Sequence, residues 1–307
     1  METIEIKQSV SFKNVLLATD FSSISKSALA PAIAIASRYG AKIYIVHVLP
    51  PEPRMPIPME PSFPELDRDR FEAELAMQAF VSGDQLKEIP HETLLPRGPI
   101  WPVLSELIER DEIDLLVLGT HGRAGLRKLI LGSVAEALFR QAACPVLTIG
   151  PAVPAAIRGE FRRILLATDF APASLNALPY ACSLATESKG ALTLLHVLTQ
   201  VPVLDVHPYW YLGREVGEGL ETAKRNTLEG LKRLIPPGAK LPSEPELLVE
   251  FGSVSHEILE TAARCRADLI VMGVNRAVSV RVSTHLPWAT AQEVVCHATC
   301  PVLTVRG

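Results

Sequence analysis

Four blocks from the first half of the chain return in the second half, in the same order. VLLATDFS (Val15–Ser22) returns as ILLATDFA (Ile164–Ala171), and IYIVHVL (Ile43–Leu49) as LTLLHVL (Leu192–Leu198). IDLLVLG (Ile113–Gly119) returns as ADLIVMG (Ala267–Gly273), and ACPVLTI (Ala143–Ile149) as TCPVLTV (Thr299–Val305). The offset is 149 residues from Asp20 to Asp169 and from His47 to His196, 154 from Gly119 to Gly273, and 156 from Cys144 to Cys300. It changes only between blocks, so length differences fall in connecting loops. A repeat of this length is a duplicated domain, not a short-period solenoid. The chain of 307 residues therefore divides into domains at 1–150 and 161–307. The Pro/Ala/Gly-rich stretch 151–160, PAVPAAIRGE, has the composition of a linker.

Within one unit the pattern alternates. Val15–Thr19 is apolar without polar alternation, as expected of a strand covered on both faces. Thr19–Ser22 stops it, and Asp20 or Ser22 can cap the next helix. Ser23–Tyr39 reads as one helix with Ala28, Ala32, Ile35 and Ala36 on its buried face, ended by Gly40. Ile43–Leu49 is a second buried strand. Pro50–Pro64 holds seven prolines, too many for helix or central strand, and reads as a surface excursion. Glu65–Ser82 is a helix and His91–Pro96 a third strand. Gly98-Pro99 starts a further helix with proline at its first position. Ile113–Leu118 is the fourth strand, Ser133–Ala142 a helix and Val146–Ile149 the last strand. Strands alternating with helices imply an α/β fold, two tandem doubly wound parallel-sheet domains with helices on both faces. Ligands in such sheets bind beyond the strand C-termini, where the strand order reverses. If the first strand lies beside the fourth, Asp20 and the loop after Gly119 border one crevice.

That loop carries the chemistry. Gly119, Gly122 and Gly132-Ser133 are spaced G-x2-G-x9-G-S. Glycine lets backbone approach a ligand closely, and a helix N-terminus presents free N–H groups to an anion. Arg123, Arg127 and Lys128 add positive charge where a phosphate would lie. The spacing is neither a Walker A loop nor a Rossmann fingerprint, whose glycines follow the first strand. Ser133 and Glu136 also form an S-x-x-E capping box, so a capped helix behind a glycine-rich loop is the other reading.

With TDFS at Thr19–Ser22, HV at His47-Val48, GTHGRAGLRKLILGS at Gly119–Ser133 and PVLTI at Pro145–Ile149, the unit resembles the universal stress protein family, and the chain its tandem-domain members. The resemblance covers nearly the whole chain. It implies strand order 3-2-1-4-5, an adenine-nucleotide alpha-hydrolase-like fold, and, for nucleotide-binding members, ATP held without a Walker motif. Carried onto this sequence, it places Ala18, Thr19 and Asp20 at the nucleoside end and the Val48 backbone on adenine. Gly119, His121, Gly122 and Arg123 follow the ribose and phosphates, with Arg127 adding charge. Gly132, Ser133, Val134 and Ala135 supply helix N-terminal donors to the phosphates. The resemblance also implies pairing of the two last strands, here within one chain, which would cover two exposed edges. ATP is the expected cofactor; whether Mg or Mn accompanies it, and whether the chain forms a homodimer, stay open.

The second copy keeps Asp169, His196 and Val197 but not the loop: Arg276 replaces the second glycine, and Leu286-Pro287 or Trp288-Ala289 stands where Gly-Ser is expected. Thr290 and Glu293 still form a T-x-x-E box, so the helix is expected to survive without its anion site. His47 and His196, in apolar strands, read as satisfied core histidines, and no metal-ligand or catalytic residue is assigned. Cys296 and Cys300, four apart on a predicted helix, read as buried small residues and not as a metal or redox pair. HPYWY (His207–Tyr211) reads as a loop packed on its own domain.

Composition narrows the classes. A net charge of −4 argues against a nucleic-acid binder, which carries a basic face. No apolar run reaches the ~18 residues of a membrane span. The opening METIEIKQSVSFKN has no apolar signal core, and the five cysteines form no disulfide framework, so a cytoplasmic setting is expected. The reading that results is an ATP-binding regulatory or stress-response protein. Its alternatives are a slow ATPase, for which Asp20 and His121 are the only nameable candidates, and a nucleotide-free scaffold.

Overall fold

The computed structural model describes residues 10–51, 63–120, 133–154, 159–199, 209–235, 239–274 and 287–307. In the first half β1 (Asn14–Ala18) leads into α1 (Ser23–Ser27) and α2 (Leu29–Tyr39), then β2 (Lys42–Val46) and α3 (Phe63–Val81). β3 (His91–Leu94), α4 (Ile100–Arg110), β4 (Leu115–Gly119), α5 (Ser133–Gln141) and β5 (Val146–Ile149) complete it. The second half repeats the order: β6 (Arg163–Ala167), α6 (Pro172–Ser188), β7 (Ala191–Leu198), α7 (Tyr209–Leu234), β8 (Glu246–Phe251), α8 (Val254–Arg264), β9 (Leu269–Val274), α9 (Pro287–His297) and β10 (Val302–Arg306).

The ten strands among the described residues join one sheet, ordered β3-β2-β1-β4-β5-β10-β9-β6-β7-β8. Each half is therefore a parallel 3-2-1-4-5 sheet. The halves meet where β5 and β10 run antiparallel, with Val302 opposite Thr148 and Thr304 opposite Val146. Two buried threonines tie this seam: Thr148 Oγ1 donates to the Val302 carbonyl (3.0 Å) and Thr304 Oγ1 to the Val146 carbonyl (3.3 Å).

Period-2 alternation sends successive side chains to opposite faces, and each face is buried under helices. Val15, Leu17, Ile43, Ile45, Leu115 and Val117 pack with α2 and α3, and their second-half counterparts Ile164, Leu166, Leu192, Leu194, Leu269 and Val271 join the same core under α6 and α7. Leu16, Val46, Leu116 and Leu118 pack with α4 and α5; Leu165, Leu195 and Ile270 continue that core under α8 and α9. Each face is thus one apolar layer running through both halves. Burying such a side chain contributes about 1.5–3 kcal/mol, which explains why the strands read as unbroken apolar runs.

Several local expectations are corrected. Ser23–Tyr39 is two helices, not one, with the break at Ala28. Pro31 has no N–H to give the Ser27 carbonyl, and its ring crowds that carbonyl. Pro99 is the N-cap of α4, not its first residue. Thr290 lies inside α9 and cannot cap it, while Glu293 accepts a hydrogen bond from Ser255 Oγ of α8 (2.7 Å). α9 ends at His297, so Cys300 precedes β10 and does not share a helix with Cys296; both are buried. Tyr209–Tyr211 begin α7 and are not loop. Most of the proline-rich excursion lies outside the described residues.

A matched pair of aspartates anchors the N-terminal ends of the strands. Asp114 Oδ2 accepts from the Lys13 amide (2.7 Å), and Asp268 accepts from the Arg162 and Arg163 amides (2.9 and 2.8 Å). Burial raises both carboxyl pKa values despite these bonds. Each aspartate thus lies at the end of its own half away from that half's strand C-termini.

Candidate functional site

β1 is the switch point of the first half. Its neighbours are β2 and β4. The connection to β2 (α1, α2) packs on one face of the sheet, and the helix following β4 (α5) on the other. The crevice beyond the C-terminus of β1 is the place where such sheets hold ligands.

Ala18, the last residue of β1, is half-buried, and Thr19 is buried. The Thr19 amide donates to the Val46 carbonyl (2.9 Å), the last rung between β1 and β2. Beyond it the chain turns sharply. Phe21 takes a positive φ of 62°, its amide donates to Thr19 Oγ1 (3.0 Å), and the Ser22 amide donates to Asp20 Oδ1 (3.0 Å). Ser22 then caps α1, its Oγ accepting from the Ser25 amide (3.2 Å). Asp20 is left half-buried at the crevice rim. Burial pushes its pKa up, but hydrogen bonds from Ser22 and Ser25 outweigh that and hold it below the ordinary value. The carboxylate is therefore ionised at neutral pH.

β2 bounds the crevice on the other side. The His47 amide donates to the Leu94 carbonyl and the Leu49 amide to the Pro96 carbonyl, so residues 47 and 49 point their backbone toward β3. By the alternation of a strand, Val48 points its N–H and C=O the opposite way, toward the space beyond Thr19. Among the described residues neither group has a hydrogen-bond partner. One strand edge thus offers a donor and an acceptor to the crevice. His47 is occupied in holding the wall: Nδ1 lies 2.8 Å from the Thr19 carbonyl, and the ring packs on Phe21 at 4.5 Å. This is the satisfied core histidine expected.

Gly119 ends β4. A Cβ there would lie 2.9 Å from Ile24 Cγ2 and 3.1 Å from the Ser25 amide nitrogen. The close approach it permits is that of α1 to β4, which brings the capped helix over the crevice. Ala135, on α5, is buried in the second core. His121, Gly122, Arg123, Arg127 and Gly132 lie outside the described residues, and of Ser133 and Val134 only the helical backbone is described. Two residues were missed by sequence reasoning. Ser25 hydrogen-bonds Thr19 Oγ1 (3.0 Å), and Phe21 supplies the left-handed turn; both recur, as Ser174 and Phe170, and that recurrence was the available signal.

The second half repeats this frame except for the side-chain cap, Ala171 standing where Ser22 caps α1. Phe170 has φ 61°, Ser174 Oγ lies 3.0 Å from Thr168 Oγ1, and His196 Nδ1 lies 2.8 Å from the Thr168 carbonyl. A Cβ on Gly273 would lie 2.2 Å from Ala173 and Ser174 backbone atoms. Among the described residues no group of three His, Cys, Asp or Glu side chains could hold a metal ion.

Comparison with known proteins agrees with the duplication. A family model described as the universal stress protein family matches twice, over residues 11–150 and 160–306. A universal stress protein of Methanocaldococcus jannaschii is 32% identical over 141 residues, covering 45% of this chain and 82% of that protein. One from Thermus aquaticus is 35% identical over 140 residues, covering 45% and 98%. The crystal structure of a universal stress protein from Archaeoglobus fulgidus superposes with a TM-score of 0.67 at 20% identity, covering 95% of this chain and 98% of that one, and so shares its fold.

Proposed function

The chain belongs to the universal stress protein family, and on that premise we propose that its first half, 1–150, binds ATP in a regulatory stress-response role. The second half, 161–307, joined through 151–160, carries a degenerate loop and does not bind the triphosphate. The observation that carries this reading is the Val48 backbone, whose donor and acceptor face the space beyond Thr19 without a described partner. A purine edge with an amino donor beside a ring-nitrogen acceptor complements such a pair.

In this reading Ala18, Thr19 and Asp20 line the nucleoside, with the Asp20 carboxylate on the ribose. Gly119, His121, Gly122 and Arg123 follow the sugar and phosphates, Arg127 adds positive charge, and Gly132, Ser133, Val134 and Ala135 offer amides to the phosphates at the start of α5. Mg or Mn accompanying ATP would be held chiefly by the phosphates. The β5–β10 ladder makes the chain its own dimer, leaving no last-strand edge for another copy. No helix among the described residues is long and apolar enough to cross a membrane.

Mass spectrometry of the gently denatured protein tests the assignment: co-purified ATP is expected, ADP alone would point to hydrolysis, and no nucleotide together with no thermal shift would overturn it. ATP at ~100 times its dissociation constant should stabilise the chain by about 2.7 kcal/mol. Gly132→Trp should abolish ATP binding while circular dichroism stays unchanged; loss of the fold would mean the glycine is structural.

A further inference from the structure

The two strands at the margins of the sheet, β3 and β8, are built differently. β3 is HETL, exposed at all but its last residue. β8 is ELLVEF, longer and exposed only at Glu246. It carries no proline and no lysine, and its register with β7 runs unbroken from Glu246 to Phe251, so the usual devices that blunt an edge are missing. The Gly252 amide donates to the Leu198 carbonyl (3.1 Å). Residue 252 therefore turns its backbone to β7, and by alternation so do 250, 248 and 246. Leu247, Val249 and Phe251 turn theirs outward, and among the described residues nothing bonds those N–H and C=O groups. α7 packs over β8, whereas α8 lies over β7. On the α8 face Leu248 is left half-buried, and Glu250 is paired with Arg264.

A second copy meeting this edge about a two-fold axis runs antiparallel to it, as β10 already runs to β5 inside the chain. The axis stands perpendicular to the sheet, so residues directly opposite share a face and the pairing is centred on one residue. Charge and backbone select that residue. Centred on Leu248, the pairing sets Glu246 opposite Glu250; centred on Glu250, it sets that carboxylate opposite its own copy. Like charges directly opposite destabilise a strand pair. Centred on Leu247, it sets Pro245, which has no N–H, opposite Val249; centred on Phe251, it runs past the end of the strand. Centred on Val249, Glu250 stands opposite Leu248 and Glu246 opposite Gly252, so no two carboxylates meet. The same register sets Val249 opposite Val249 and Leu247 opposite Phe251. These are the residues whose backbones turn outward, and each such pair can exchange both of its hydrogen bonds.

We propose that β8 is the edge at which a second copy of this chain joins the sheet, antiparallel and centred on Val249. Every outward N–H and C=O of the strand is then bonded, and Leu247, Leu248 and Phe251 gain apolar cover from their counterparts. The sheet of one copy continues into the other through its second half, while β3 stays the outer margin on both sides. The interface does not depend on the nucleotide reading of the first half.

Sedimentation equilibrium of the full chain tests this. A reversible dimer is expected at about 100 µM, a concentration that fills a contact of micromolar Kd. Leu248→Glu sets two glutamates directly opposite each other on both sides of the axis and should weaken the dimer about tenfold or more. Leu248→Arg meets Glu250 instead and should keep the dimer at least as tight as in the native chain. Val249→Pro removes the N–H at the axis, on an outward-facing edge position where proline is tolerated, and should leave a folded monomer by circular dichroism. A native chain that stays monomeric at that concentration would overturn the proposal. So would a dimer that Leu248→Glu and Val249→Pro both leave unchanged. Should Val249→Pro fail to fold, the contrast at position 248 decides alone: weaker association with glutamate than with arginine upholds the interface, and equal association overturns it.

Discussion

Cys144 and Cys300 occupy equivalent places, one residue before the proline that leads into β5 or β10. Burial pushes each thiol up to about 12, so at pH 8 almost none is the reactive thiolate. Both should stay unlabelled by a thiol-specific disulfide reagent in the native chain and react on unfolding; labelling without unfolding would show that the seam opens. Asp20 gives a pH signature. Its folded pKa lies below the model-peptide 3.8, so its ionised form contributes stability above about pH 4 that is lost as pH falls through the folded value. Asp20→Asn, which can keep the acceptor for the Ser22 amide, should therefore lower Tm most near neutrality. The gap should close in acid, and a gap independent of pH would refute the assignment. Asp20 was legible from its place after the first strand. Val48 was legible only through family resemblance, because which way a backbone amide points depends on which neighbours the strand has acquired.

At the scale of elements, the inner strands were legible because each is apolar on both sides and bounded by turn residues, and helices cover both faces of the sheet. The features that escaped were decided by single hydrogen bonds and by contacts distant in sequence. The α1–α2 break follows from one missing N–H at Pro31, and the N-cap role of Pro99 from backbone angles that the Gly-Pro pair does not specify. The T-x-x-E pattern at Thr290 misled because Thr290 lies inside α9 and Glu293 is taken by Ser255 of α8. Glycine spacing suggested ligand approach at Gly119, yet that residue and Gly273 both stand where a helix start presses on a strand end. Gly273→Ala should destabilise by about 1–3 kcal/mol as overpacking, and Gly119→Ala by less, since its nearest neighbour is a side-chain methyl that can shift. Urea denaturation of the two variants measures the difference; equal or negligible effects would mean that α6 and α1 move away freely.

For the whole molecule, the shared apolar layers and the β5–β10 ladder predict that the halves unfold together. A single calorimetric transition is expected for the full chain, and two separated transitions would contradict it. Either half expressed alone bares its last strand and should self-associate, as concentration-dependent sedimentation would reveal; a stable monomeric half would show that the ladder is dispensable. The outer strand β3 is short, polar and largely exposed, features that discourage edge pairing. The duplication was the most legible feature of all, since its blocks are the strands themselves. The antiparallel seam has a further consequence. Because one half is turned end for end relative to the other, the two crevices open on opposite margins of the sheet. A protein contacting both at once would have to straddle the molecule. The chain is in this sense two-headed: each crevice meets its surroundings on its own side, with the shared sheet running between them.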